Sequence, residues 1–193
     1  MTQKIAEIYN AKEFFGFAAG ENERYELIDG EIYMMASPSV DHQDISGYIY
    51  RKLSDYFAGK KCRPFIAPLD VVLFERTDKD RRKKDNSQNV FQPDVFAVCD
   101  SRKIGQNRIN GAPDFVVEVV SPSNSDSDYI DKLKAYMQYG VKEYWIVDPE
   151  KKMVFVYARK RKGVGSPDVY TFEDKIKARI FEDLEIDFKE LRL

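Results

Sequence analysis

Apolar positions recur along this chain in three rhythms, and each predicts a different kind of element. From about Asp41 to Ala58, Ile45, Ile49, Leu53 and Tyr56 fall one helical turn apart and Gly59 follows, which predicts an amphipathic helix with a stop signal. A shorter helix is predicted over Ala11–Ala18, capped by Asn10 and ending near Gly20. Tyr25-Glu26-Leu27-Ile28 and Glu31-Ile32-Tyr33-Met34-Met35 flank Asp29-Gly30, the signature of a type I′ hairpin with Glu26 opposite Tyr33. The third rhythm is the nearly unbroken apolar run, expected of strands buried on both faces. Such strands are predicted at about Arg63–Phe74, Asp94–Val98 and Asp114–Val120, with a polar loop, Glu75–Asn89, between the first two. A helix opening at Ser125 or Asp126 reaches Tyr139 and stops at Gly140. Strands Glu143–Val147 and Met153–Tyr157 follow, joined at Asp148-Pro149-Glu150. The tail holds a strand near Val169–Phe172 and a charged segment carrying Ile180, Leu184, Ile186 and Leu191. This order suits a single α/β domain over residues 1–193, a central mixed sheet with helices on both faces and an N-terminal hairpin.

The run Phe115-Val116-Val117-Glu118-Val119-Val120 contains a carboxylate. Removing Glu118 from water costs several kcal/mol unless a proton, a cation or a metal compensates. Asp94, in Gln92-Pro93-Asp94-Val95, is a second acid at the start of a buried strand, 24 positions earlier. If the two strands are neighbours, both carboxylates reach one point near a shared sheet edge. That suits Mg²⁺ or Mn²⁺, hard cations that take few carboxylates and keep several waters, and that polarise phosphoryl oxygens. The competing reading pairs Glu118 with a buried Lys or Arg.

Other groups could join them. Asp128, Lys132 and Tyr136 stand at i, i+4 and i+8 on one face of the helix after the Glu118 strand, so Lys132 can point back at the carboxylates. There it would orient water or stabilise charge on phosphorus; otherwise it forms a solvated pair with Asp128. Lys134 is its competitor. Asp114 is either a further ligand or a charge at the solvated strand entrance, and Asp70 either a third ligand or a rim charge. His42, the one histidine, is a packed side chain on the apolar side of its helix or, with Gln43, faces the metal or a phosphate. Glu26 joins them from the hairpin or stays a half-exposed strand acid.

Charge adds only local information. With 33% charged residues the net charge is −2, so nothing global announces a polyanion-binding protein. Two runs are basic: Arg76–Lys84, which includes Arg81, Arg82, Lys83 and Lys84, and Arg159-Lys160-Arg161-Lys162, each netting +4. Both are read as loops that could meet backbone phosphates, although neither interleaves the aromatics that stack bases. Cys62 and Cys99 are too few for a disulfide framework and are read as reduced, buried thiols. The start of the chain lacks a signal-like apolar run, and no stretch approaches ~20 apolar residues, so a cytoplasmic protein with no membrane span is expected.

Several stretches together resemble the PD-(D/E)XK nuclease superfamily, and most closely its Uma (Uma two) endonuclease family. They are Tyr25 to Glu31, Ser37-Pro38-Ser39 with His42-Gln43, Gln92-Pro93-Asp94-Val95, Gly111 to Ser123, then Asp128, Lys132 and Tyr136, and Gly140 to Pro149. The resemblance implies a restriction-endonuclease-like core, with Asp94 and Glu118 as the motif acids on metal. The lysine expected two places after the acid is absent, since Val120 stands there; in families with this departure it has moved to the following helix, here Lys132. The implied activity is Mg²⁺-dependent endonucleolytic hydrolysis of DNA, and a homodimer would suit cutting two strands. The alternative is a catalytically inactive nucleic-acid-binding or regulatory module of the same fold; an accessory protein acting on RNA is a third.

Overall fold

Local signals start the first elements where the sequence marks them. The computed structural model describes residues 7–74, 84–121, 127–160 and 163–191; at 127–129, 160, 163 and 164 it describes backbone alone. Helix α1 (Ala11–Ala18) begins with a capping box: the Asn10 side chain accepts the Glu13 N–H, and the Glu13 carboxylate accepts the Asn10 N–H. Strands β1 (Tyr25–Ile28) and β2 (Glu31–Met34) pair with Glu26 opposite Tyr33. Asp29 and Gly30 take φ values of 48° and 89°, the two positive angles a type I′ turn requires. Helix α2 (Val40–Phe57) starts from Ser39, whose hydroxyl accepts the His42 N–H at 3.2 Å.

The run Arg63–Phe74 is two strands, which corrects the expectation of one. β3 (Arg63–Ile66) ends at the cis Ala67–Pro68 bond, and β4 (Val71–Val72) joins a different sheet. Proline offers no N–H to a ladder, so the chain leaves the first sheet there. β5 (Val90–Phe91) immediately follows the predicted polar loop, of which residues 75–83 lie outside the described residues. Then come β6 (Val95–Val98), β7 (Ile109–Asn110) and β8 (Phe115–Val119). A π-helical turn, Ser127–Lys132, leads into α3 (Leu133–Tyr139), closed by Gly140 at φ 103°. The remaining strands are β9 (Glu143–Asp148), β10 (Met153–Lys160), β11 (Gly163–Val164), β12 (Asp168–Thr171), β13 (Lys175–Lys177) and β14 (Glu185–Asp187).

The main sheet is mixed, as expected. Its order is β11-β10-β9-β8-β6-β3 with β12 also on β10; β8 and β9 run parallel, the other pairs antiparallel. A smaller sheet, β2-β1-β5-β4-β7, carries the hairpin. Alternation along β8 divides the core. Val117 and Val119 face the α2 side, against Ile45, Ile49 and Leu53, while Val116 and Val120 face α3 and the smaller sheet, against Ala135, Tyr136, Phe91 and Val71. Helix α1 covers the far side of the smaller sheet through Phe14, Leu27 and Val90. No helix of the described residues is long and apolar enough to cross a membrane.

Two features depart from the sequence reading. Cys62 and Cys99 are joined as a disulfide rather than being reduced thiols. They continue the β3–β6 register one pair beyond Arg63↔Val98, which sets them directly opposite each other. Glu143 is fully buried at the head of β9. One of its oxygens accepts the Trp145 indole N–H at 2.7 Å; the other accepts the Arg179 and Ile180 N–H groups at 2.8 and 2.9 Å. Burial raises its pKa against the pull of these donors. The tail, whose apolar residues show no clear period, is thus tied to the sheet by a carboxylate.

Glu143→Ala leaves one buried and two part-buried donors without their acceptor and should cost about 2–4 kcal/mol, read as a lower urea midpoint with an unchanged slope. A loss below about 1 kcal/mol would mean that apolar contacts alone hold the tail.

Candidate functional site

The β6–β8 register decides where the two strand acids lie. Val95 is opposite Val117, so one step outward sets Asp94 opposite Glu118. Each strand then serves the other's carboxylate. The Asp94 N–H donates to Glu118 Oε2 at 3.3 Å, and the Val119 N–H donates to Asp94 Oδ2 at 2.7 Å. The predicted pair of acids is therefore adjacent at one sheet end, Glu118 at 2% exposure.

Three further elements close on them. Lys132, the last residue of the π-helical turn, is 5% exposed, with its ammonium 2.9 Å from Glu26 Oε2 and 3.3 Å from Glu118 Oε1. Tyr136, one turn later, donates its hydroxyl proton to Glu118 Oε1 at 2.7 Å. Burial first, then the Glu118 charge, pushes the Tyr136 pKa well above its ordinary value, so it remains a donor. His42, in the first turn of α2, sets Nε2 3.1 Å from Asp94 Oδ2. His42 is thus half-buried against a carboxylate, which neither the packed-side-chain reading nor the metal- or phosphate-facing reading specifies. Lys134 is exposed and plays no part.

Glu26 is not the half-exposed strand acid of the sequence reading. It is 5% exposed, because β5 lies on β1 and its Gln92 N–H donates to Glu26 Oε1 at 2.7 Å. The Gln92 side chain also donates to Asp70 Oδ1 at 3.0 Å, so Asp70 stands one residue behind the site. Burial raises the Asp70 pKa. Asp114 is corrected in both respects. It is buried, and it lies at the opposite end of β8 from Glu118, where it accepts the Cys99 N–H and pairs with Lys142 at 2.7 Å. The Asp128 side chain lies outside the described residues.

The acids open into a cleft of about 440 Å³, whose walls include Arg24, His42, Gln43, Asp94, Glu118, Ser121 and Lys132. Gln43 also lines a second, larger cleft of about 920 Å³ along α2. Arg24, Ser121 and Gln92 escaped the sequence reading; only the Gln92-Pro93-Asp94 motif pointed at one of them. Of the basic runs, Lys84 is described and exposed, whereas Arg81, Arg82 and Lys83 lie outside the described residues. Arg159 and Lys160 belong to β10 rather than a loop, with Arg159 exposed; the Lys160 side chain, Arg161 and Lys162 lie outside the described residues.

Three carboxylates here, Glu26, Asp94 and Glu118, meet one ammonium and one imidazole, so negative charge is in excess when the imidazole is neutral. Asp94 Oδ1 accepts no hydrogen bond among the described residues. An oxygen-donor pair of this kind fits a hard divalent cation that keeps water ligands. Among the described residues no three His, Cys, Asp or Glu side chains form a set able to hold a metal by themselves.

Comparison with known proteins follows the same lines. The family Uma2, described as "Putative restriction endonuclease", matches residues 11–189. Two Synechocystis proteins, both called uncharacterized, are similar in sequence. The protein slr1290 is 28% identical over 125 residues, 65% of this chain. The protein sll1609 is 23% identical over 151 residues, 77% of this chain and 79% of its own. The chain spans 60% of the length of slr1290. A crystal structure from Anabaena variabilis, titled a putative nuclease belonging to DUF820, superposes with a TM-score of 0.72 at 20% identity. The match covers 94% of this chain and 96% of that one. At that identity the likeness carries the fold.

Replacing Lys132 by methionine leaves Glu26 and Glu118 as two buried carboxylates without their shared cation. Stability at neutral pH should fall by about 3–5 kcal/mol in chemical denaturation, as for other broken buried pairs. A change below about 1 kcal/mol would mean that water already compensates both acids.

Proposed function

The chain belongs to the Uma2 family, and from that premise we propose that it is a Mg²⁺- or Mn²⁺-dependent endonuclease that hydrolyses phosphodiester bonds of DNA. The observation that carries the reading is the convergence, in one cleft, of Asp94 from the start of β6, Glu118 from β8 and Lys132 from the next helix. The side-chain reach from Lys132 to Glu118 is what a lysine displaced from the position of Val120 has to achieve.

Asp94 and Glu118 would hold the metal, which when bound supplies Lewis acidity and a more acidic water. The chain's own residues do the rest. The Val119 amide and His42 both hold Asp94 Oδ2, which fixes the orientation of that carboxylate. Tyr136 and Lys132 fix Glu118 Oε1 in the same way. Lys132 brings its positive charge to the cleft wall, where it assists the attacking water and offsets charge developing on phosphorus. The exposed Lys84 and Arg159 would contact backbone phosphates, and a two-fold dimer would present two such clefts to two strands.

A second reading has one observation in its favour. Lys132 already satisfies Glu26 and Glu118 in a closed network, which is also how a catalytically silent binding module of this fold would stabilise itself.

Calorimetric titration with Mg²⁺ or Mn²⁺ separates the two. The endonuclease reading expects saturable binding that Glu118→Ala abolishes, with supercoiled plasmid cut by the wild type and at least about a hundredfold more slowly by Lys132→Ala. Absence of metal binding, or unchanged binding in Glu118→Ala, leaves the silent module. Equal cleavage by wild type and Lys132→Ala removes Lys132 from the mechanism.

A further inference from the structure

Three described basic side chains line the acidic cleft, and two are committed to carboxylates. Lys132 lies between Glu26 and Glu118, and His42 lies on Asp94. The third is Arg24, half-buried at the foot of the hairpin just before β1. Its carbonyl accepts the Met35 N–H at 2.8 Å, so the backbone there is held by the strand that returns beside it. Its guanidinium makes no hydrogen bond or ion pair with any described residue.

Arg24 thus shares a cleft with Asp94 and Glu118 while its own donors are uncommitted among the described residues. The hairpin start fixes the Arg24 backbone beside the cleft, and the fork of N–H donors is unspent among the described residues. Such a fork matches two oxygens of one tetrahedral anion. Lys132, by contrast, already donates to Glu26 and Glu118 and is a point charge without a fork.

We propose that Arg24 is the residue that binds the phosphodiester group entering this cleft, gripping its non-bridging oxygens bidentately while Asp94 and Glu118 face the reacting side. The assignment rests on the endonuclease reading. It adds a phosphate-binding residue that no sequence motif marks, beside the role given to Lys132.

The test measures binding of a short fluorescein-labelled DNA duplex by fluorescence anisotropy, with Ca²⁺ in place of Mg²⁺, over a series of salt concentrations. Arg24→Ala should bind roughly tenfold more weakly, the loss of one charge-assisted pair. Its plot of log affinity against log salt should be shallower by about 0.9, one phosphate contact fewer. Arg24→Lys should restore the slope but only part of the affinity, since an ammonium keeps the charge and loses the fork. The control is Arg102→Ala, at the opposite end of β6, where Arg102 is 72% exposed and already bound to Asp100. It should leave both quantities unchanged. Thermal melts matching the wild type show that Arg24→Ala is folded. Identical affinity and slope in Arg24→Ala and wild type would overturn the assignment while leaving the endonuclease reading intact. A wild type that binds no DNA would overturn both.

Discussion

Burial of the Glu118 carboxylate is the constraint from which the rest of the site follows. A strand between β6 and β9 has no solvent on either face, so a charge there needs partners from the elements covering it. The antiparallel neighbour supplies the Asp94 N–H, and α3 with its preceding π-helical turn supplies Tyr136 and Lys132. Lys132 in turn takes up Glu26, which ties the hairpin of the smaller sheet to the main one. A single expensive group thus draws two sheets and a helix to one point. The cost is met by hydrogen bonds and a cation with defined geometry, which makes the point rigid as well as charged.

How much of this was legible in the sequence depends on the range of each signal. The hairpin, α2 and the strand of Glu118 rest on local periods and on Asp29-Gly30, and they appear within a residue or two of their expected bounds. Asp94 beside Glu118 follows from two buried acidic strands being neighbours. The break at Pro68 was misread because an apolar run hides a change of sheet. The burial of Glu26 and Glu143 was invisible for a different reason. Each is made by residues distant in sequence, Gln92 and Lys132 for one, Arg179 and Ile180 for the other. The disulfide belongs with these, since Cys62 and Cys99 meet only through the β3–β6 register. Arg24 left no trace at all: one arginine before a strand reads as any surface charge.

Under the endonuclease reading, the same network accommodates a lysine displaced from the position of Val120. A lysine at the position of Val120 would lie on the same strand as Glu118. From the π-helical turn before α3, Lys132 approaches Glu118 and reaches Glu26 as well. The helix therefore does two tasks, neutralising part of a carboxylate cluster and bringing a cation to a cleft wall. Under the endonuclease reading, the remaining negative charge is the share left for the metal.

The most direct test is an anomalous difference map from crystals of the protein soaked with Mn²⁺. The account predicts a peak at the carboxylates of Asp94 and Glu118, with the Glu26–Lys132 contact retained. No peak at Glu118, with the Lys132 pairs intact at saturating Mn²⁺, would contradict it and leave the carboxylates as a structural ion-pair network.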